Sequence, residues 1–315
     1  MQMMTHSWVL AAVFLGIAIL PSTAKADLVC NAAIASLDFG TISVRDGVSP
    51  QTSGPVTISC SGGIAGATAR ACLSIGAGSG GSGAGQTPRF MTGDQTVQLA
   101  YQLSSQNTLS LGGPIWEDVE LAVSMNAAGE GIADTTLYSE VTAIGTQVTV
   151  GDYISRFDAG LDVALSFGNL TCDQSGAASG FIVAARVEAS CTVSVSNMDF
   201  GVIDAAVIAP VDQTATVTVS CTNQADYTVG LDQGTHSGVA SGLSARNMAN
   251  GAQLLAYNLY QDAARTIAWG LAPGALAAGL GTGSNQAITV FGRILPDQQA
   301  LAGTYTDSVV VVVSY

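Results

Sequence analysis

The sequence predicts an all-β chain built as two tandem β-sandwiches, and three observations predict it. The first is a repeated ruler: Cys30, eight residues, Phe39-Gly40 and Cys60 recur as Cys191, eight residues, Phe200-Gly201 and Cys221. Each cysteine pair encloses 29 residues, and each second cysteine closes a β-type run, Val56-Thr-Ile-Ser-Cys60 or Val217-Thr-Val-Ser-Cys221. A repeat this long is a domain, not a solenoid unit. The second is composition: 10% charged residues, 37 glycines in 315 residues, and apolar residues that are mostly small or β-branched, as expected for strands joined by glycine turns. The third is periodicity. No stretch sustains a helical period, whereas short alternating runs recur at Val97–Leu103, Thr146–Val150, Phe181–Val187, Thr214–Val219, Ile288–Ile294 and Ser308–Tyr315.

Taken in order, the chain opens on a secretory signal over residues 1–26. Val9 to Leu20 is an apolar core too short to span a bilayer, and Ala24-Lys25-Ala26 supplies small residues at a cleavage site, so the mature protein is expected to begin at Asp27. The segment before the apolar core carries no Lys or Arg, only the amino terminus and His6.

All six cysteines follow the signal, in even number and outside the cytosol, so disulfides are the expected state. The duplicated spacing selects Cys30 with Cys60 and Cys191 with Cys221, leaving Cys72 and Cys172 for a further bridge within the first half. Closing loops of this length stabilises each domain by roughly 3–5 kcal/mol in the chain-entropy account. A metal site is disfavoured, because no Cys-x-x-Cys occurs and His236 is the only histidine beyond the signal.

Alternating strands at this spacing place a first sandwich at residues 27–189 and a second at 190–315, each with antiparallel sheets facing across one core. The join at Glu188-Ala189-Ser190 has no extended Pro/Gly/Ser linker, so the last strand of the first half is expected to run almost straight into the second. Beyond the signal there is no lysine, and eight arginines face 23 acids. No cationic surface offsets phosphate charge, which argues against nucleic-acid binding. The acidity instead serves solubility in a chain of mean hydropathy +0.40.

In the first half three loops stand out: the glycine tract Gly76–Pro88, the segment Leu111-Gly-Gly-Pro-Ile-Trp116, and Asn126–Tyr138. Function sits in loops more often than in packed strands. Leu111, Pro114, Ile115, Trp116 and Ile132 are therefore the candidate surface-binding residues, an apolar set suited to hydrophobic surfaces. An alternative stands beside this one. Trp116 follows Tyr101 by 15 residues and Trp269 follows Tyr257 by 12, so the two tryptophans also read as equivalent core residues.

The second half carries Cys191, Phe200-Gly201, Cys221, Arg246-Asn-Met248, Leu255-Ala-Tyr257-Asn-Leu-Tyr260, Trp269, Val290-Phe-Gly-Arg293 and Gly303-Thr-Tyr305-Thr-Asp-Ser-Val. In this order the motifs resemble the spore coat U domain, the pilin module of archaic chaperone-usher pili. The first half shares Cys30, Phe39-Gly40, Cys60 and Leu99-Ala-Tyr101-Gln-Leu103, then departs with an insertion and with Cys72 and Cys172. A diverged first half before a standard second half looks like the tip adhesin of such a pilus. The resemblance implies immunoglobulin-like sandwiches, the C-terminal one lacking its last strand. It also implies the partners: a periplasmic chaperone, an outer-membrane usher, an adjacent pilin donating a strand, and an abiotic or host surface.

Two features of the residues bear on that expectation. Asp307-Ser-Val-Val-Val-Val-Val-Ser-Tyr315 is a strong β segment, and beside an open apolar groove it would be an aggregation hazard that strand addition relieves. Val309, Val310, Val311, Val312, Val313 and Tyr315 are accordingly the expected acceptor edge; an ordinary last strand in a closed sandwich is the alternative. Only Asp27-Leu28-Val29 precede Cys30, whereas a donating segment needs roughly ten residues. The expectation is a chain that accepts a strand without donating one, which is the position of a pilus tip at the cell surface.

Apparent chemical motifs carry less. Gly76, Gly78 and Gly81 match G-x-G-x-x-G without a following helix to hold an anion. Asp38-Phe-Gly40 and Asp199-Phe-Gly201 match a kinase tripeptide but are explained as a repeated turn. Asn169-Leu-Thr171 fits a glycosylation acceptor. One histidine and no lysine remove most Ser-His, Cys-His and Schiff-base arrangements. Asp118, Glu120, Asp152 and Asp158 include no evident catalytic pair and read as solvated acids. The expected protein is a non-enzymatic pilus-tip adhesin without cofactor or metal, acting in surface attachment and biofilm formation. A secreted coat or matrix protein is the second reading and a carbohydrate-active enzyme the third.

Overall fold

The computed structural model describes residues 27–315 apart from 46, 95–96, 108–114, 117, 144–146 and 238–245. The signal segment, Leu111 and Pro114 lie outside the described residues. In the first half the strands are β1 (Val29–Ile34), β2 (Leu37–Ile42), β3 (Gln51–Ser61), β4 (Thr68–Ile75), β5 (Arg89–Thr92), β6 (Gln98–Ser104), β7 (Asp118–Ser124), β8 (Gly131–Ala143), β9 (Gly151–Phe157), β10 (Val163–Gly168), β11 (Gln174–Ala178) and β12 (Phe181–Val187). They are hydrogen-bonded in the order β2-β12-β9-β5-β6-β8-β3-β1-β11-β10-β4-β7 and enclose one core. Period-2 alternation decides which side faces inward. In β12, Phe181, Val183, Ala185 and Val187 are buried while the residues between them are not; in β1, Cys30, Ala32 and Ile34 point in.

The second half contains β13 (Cys191–Val195), β14 (Ala206–Val207), β15 (Val211–Cys221), β16 (Asp226–Leu231), β17 (Arg246–Asn250), β18 (Gln253–Tyr260), β19 (Ala277–Leu280), β20 (Asn285–Ile294), β21 (Gln298–Gln299) and β22 (Val311–Ser314). A five-stranded sheet, β13-β15-β20-β18-β17, faces a three-stranded one, β19-β16-β22, across a second core; β14 and β21 form a small ribbon.

The repeated ruler becomes repeated architecture. Cys30 and Cys60 are directly opposite on β1 and β3, and Cys191 and Cys221 on β13 and β15, so each bridge staples an antiparallel pair in register. The third disulfide joins Cys72 on β4 to Cys172 in the turn between β10 and β11. Two buried arginines repeat as well. Arg89 donates through Nε to the carbonyl of Gly76 and through Nη2 to those of Ile75 and Trp116. Arg246 donates through Nε to the carbonyl of Asp232 and through Nη2 to those of Leu231 and Trp269. Each arginine lies opposite a tyrosine on the next strand, Tyr101 or Tyr257. The Asp-Phe-Gly pairs are also one turn used twice: the Asp38 and Asp199 carboxylates each accept from the amide two residues on, where Gly40 (φ 66°) and Gly201 (φ 73°) adopt the left-handed conformation.

Two predicted runs differ from the structure. The described residues of Thr146–Val150 form no strand: Val148 is buried in the first core, and Thr149 is bonded to Tyr153 Oη and bridged to Asn223 of the second half. Of Ser308–Tyr315 only Val311–Ser314 forms a ladder. The joint itself is short and bonded. Glu188-Ala189-Ser190 connects β12 to β13, Arg45 Nη2 donates to the Cys221 carbonyl at 2.7 Å, the Val150 amide donates to the Asn223 carbonyl, and Asn223 Nδ2 donates to the Gln147 carbonyl.

Candidate functional site

The two halves differ at one place in an otherwise shared plan. In the first half β11 lies between β1 and β10, parallel to β1 (Asn31 opposite Ala177) and antiparallel to β10 (Leu165 opposite Gly176). The strands equivalent to β1 and β10 are β13 and β22. β13 carries the matching cysteine, and β22 pairs with β16 as β10 pairs with β4, Val313 opposite Val229 and Leu165 opposite Leu73. Among the described residues no strand lies between β13 and β22, and both are edges of their sheets. The same strand positions report the difference in exposure: Ala32 and Ile34 are 5% and 7% exposed under β11, whereas their counterparts Val193 and Val195 are 44% and 51% exposed.

The result is a groove of about 790 Å³ that reaches the second core between its sheets. Val217, Leu259 and Val290 line its floor, Val193 and Val195 one wall, and Val309 and Val311 the other. The groove continues past β13 along Ser196–Phe200 and past β22 along Thr304–Ser308. An apolar floor flanked by two strands with free main-chain donors and acceptors is what an extended polypeptide recognises: ladder bonds give affinity and the floor takes alternate side chains. Of the predicted acceptor edge, Val309, Val311 and Val313 pack toward the core, whereas Val310, Val312 and Tyr315 are exposed.

At the rim of the groove the side chain of Asp307 is 2% exposed and accepts from Tyr257 Oη (2.7 Å), the Thr235 amide (2.9 Å) and hydroxyl (2.8 Å), and the Ser308 amide. Burial pushes its pKa up, but these donors together hold it below the ordinary carboxylate value. Burial, and then the hydrogen bond to Asp307, raise the Tyr257 hydroxyl far above its usual range, so this phenol is a fixed donor.

A second candidate surface lies at the far end of the first half. The ladders place the ends of β3, β4, β7, β8 and β10 side by side there, with Cys60 opposite Gly131, Thr68 opposite Ser124 and Arg70 opposite Gly168. The joint to the second half lies at the other end, where Ile42 meets Val187 and Gly151 meets Val187. Ile64 (54% exposed), Ile132 (65%), Leu170 (82%) and, on β1, Val29 (49%) project at the far end. The loops beneath them are tied, Gly63 donating to the Gly129 carbonyl and Gly66 to that of Met125, and Cys172 anchors the Leu170 turn.

The sequence-selected loop residues divide. Ile132 lies at this end and Ile115 is half-buried elsewhere. Trp116 must be corrected: it is fully buried, and its Nε1 donates to the Leu73 carbonyl as Trp269 Nε1 donates to that of Val229. It is the core counterpart of Trp269 and not a contact residue. Ile64 and Leu170 were missed; the only signal for them was a lone aliphatic within a polar, glycine-rich turn.

The sequence model of the Spore Coat Protein U domain matches residues 18–159 and again 177–312. Protein U of Myxococcus xanthus is 30% identical over 128 residues, 39% of this chain and 72% of that protein. Among solved structures, the chain is similar to one in the CsuC-CsuE chaperone-tip adhesion subunit pre-assembly complex from the archaic chaperone-usher Csu pili of Acinetobacter baumannii. That similarity has a TM-score of 0.52 at 16% identity and covers 90% of this chain and 100% of that one. At this identity the likeness is one of fold.

Proposed function

Because this chain belongs to the Spore Coat Protein U domain family, we propose that it is a non-enzymatic subunit of a chaperone-usher pilus, a tip adhesin that accepts a strand in its C-terminal half and attaches through its N-terminal half. Residues 27–189 form the adhesin domain and 190–315 the pilin domain in this reading. The observation that carries it is the contrast between one closed and one open copy of the same sandwich: β11 covers Ala32 and Ile34, while Val193 and Val195 stand at an open groove. An apolar groove with two free edges is an aggregation hazard unless a strand from a partner fills it. A periplasmic chaperone fills it first, and a neighbouring pilin, handed on at the usher, fills it in the fibre. The likeness of fold to a chain from a chaperone-tip adhesion subunit complex supports a chaperone as one such partner. The apolar far end, with Ile64, Ile132 and Leu170, suits attachment to hydrophobic surfaces and hence biofilm formation.

The test is purification from the native periplasm with an affinity tag in a surface loop remote from β13 and β22. A stoichiometric periplasmic partner, lost when Val195 is changed to arginine, is the expected result. A well-folded monomer without partner would sink the strand-acceptor reading and favour a coat or matrix protein.

A further inference from the structure

The first half holds a buried polar cluster that neither the groove nor the far end uses. It forms where the glycine tract ends: Thr87, just before β5, meets the middle of β6. Gln102 of β6 is 6% exposed and lies directly opposite Glu140 of β8, so the two side chains share one face of the sheet. Gln102 Nε2 donates to Thr87 Oγ1 at 2.9 Å, across a sequence separation of 15. Thr87 Oγ1 in turn donates to the Gly85 carbonyl at a long 3.4 Å.

Two donors fix the orientation of the Gln102 amide. Its Oε1 accepts from Arg89 Nη1 at 3.4 Å and from the Leu103 amide at 3.3 Å, which turns the nitrogen toward Thr87. Arg89 is fully buried, and fixed donors in a water-poor site stabilise negative charge that develops on a carbonyl oxygen. Glu140 is 9% exposed, and its buried Oε2 has no hydrogen-bond partner among the described residues. A buried carboxylate oxygen without a donor is costly, and a role in chemistry is one reason for keeping it.

The second half does not repeat the carboxylate. By register Asn258 stands for Gln102 and Arg293 for Glu140, and Arg293 is paired with Asp212, the counterpart of Gln51. The sandwich fold therefore does not require a buried acid at this position.

We propose that Thr87 and Gln102 become joined by an intramolecular ester, formed by the chain on itself. Thr87 Oγ1 attacks Gln102 Cδ as its proton passes to Glu140. Arg89 and the Leu103 amide hold the negative oxygen of the tetrahedral intermediate. Glu140 returns the proton to Nε2, the Cδ–Nε2 bond breaks, and ammonia leaves. One hydroxyl and one primary amide give one ester and one ammonia, so the balance needs no oxidant and no co-reactant. The amide plane must turn to present its carbon to Oγ1, and the terminal torsion of glutamine is broad enough to allow it. Holding the two groups in contact supplies the proximity that so weak an electrophile needs, and burial of Gln102 keeps water from the product. The ester ties the end of the glycine tract to the middle of the large sheet by a bond that, unlike the disulfides, no thiol opens.

The experiment is intact-mass spectrometry of the full chain exported to the periplasm, its disulfides reduced, followed by peptide mapping. The expected mass is lower by one ammonia than the sequence requires, with Thr87 and Gln102 recovered in one linked peptide that hydroxylamine cleaves. Thr87→Ala and Glu140→Gln should have the full mass, and Thr87→Ser the reduced one. An unaltered chain of full mass, or an ammonia loss mapped to other residues, would overturn the ester and leave a hydrogen-bonded cluster; this measurement decides even where a variant does not fold. A link that persists in Glu140→Gln would overturn the part given to that carboxylate.

Discussion

Arg89 and Arg246 each bury a guanidinium against three main-chain carbonyls, beside Trp116 and Trp269, whose indoles each donate to a carbonyl on the neighbouring strand. Donors buried against main-chain carbonyls in this way fix strand positions, and deleting one leaves acceptors without partners. Trp269→Ala should lower unfolding free energy by about 3–5 kcal/mol in urea titrations, through lost burial and the unpaired Val229 carbonyl. Asp307 sets a pH dependence. Its folded pKa is depressed, so the stabilisation it gives is present above the ordinary carboxylate value of about 3.9 and is lost as pH falls through the lower folded value. The urea midpoint of the second half should fall on acidification below about pH 4, and in Asp307→Asn this part of the profile should flatten.

Elements show what the sequence discloses and what it withholds. The Cys-x8-Phe-Gly ruler and the run Phe181–Val187 were legible because in-register disulfides and period-2 alternation are local properties. Thr146–Val150 has the same local character, but its described residues are held by the first core, by Tyr153 and by a bridge across the joint instead of a ladder. Trp116 could not be assigned by inspection because its partner, Leu73, lies 43 residues away. The open groove was implied by the family resemblance, with the C-terminal valines in support, yet its extension along Ser196–Phe200 carries no mark of it when read alone. The Cys72–Cys172 bridge ties β4 to the Leu170 turn over a separation of 100 residues. Replacing both cysteines by serine should cost about 4–5 kcal/mol in the chain-entropy account, measured by chemical denaturation. It should also weaken retention on apolar surfaces by loosening the Leu170 turn.

At the scale of the molecule, one closed and one open sandwich predict unequal stability. Calorimetry should resolve two transitions, the second half unfolding at the lower temperature and rising when a strand binds, as linkage requires. The triple change Ile64→Ser, Ile132→Ser, Leu170→Ser should reduce retention on a hydrophobic surface at least tenfold and leave partner capture unchanged, because the three residues lie at the end remote from the groove. The joint has a mechanical consequence. Tension between a strand seated beside β13 and an anchored far end would pass through Glu188-Ala189-Ser190 into β12, along the strand axes. Ladder bonds loaded in shear share the force and yield together, whereas bonds peeled from one end yield singly. With Arg45 and Asn223 bracing the hinge point, the two halves would act as a tie rod in a current, transmitting drag to the attachment without folding back on themselves.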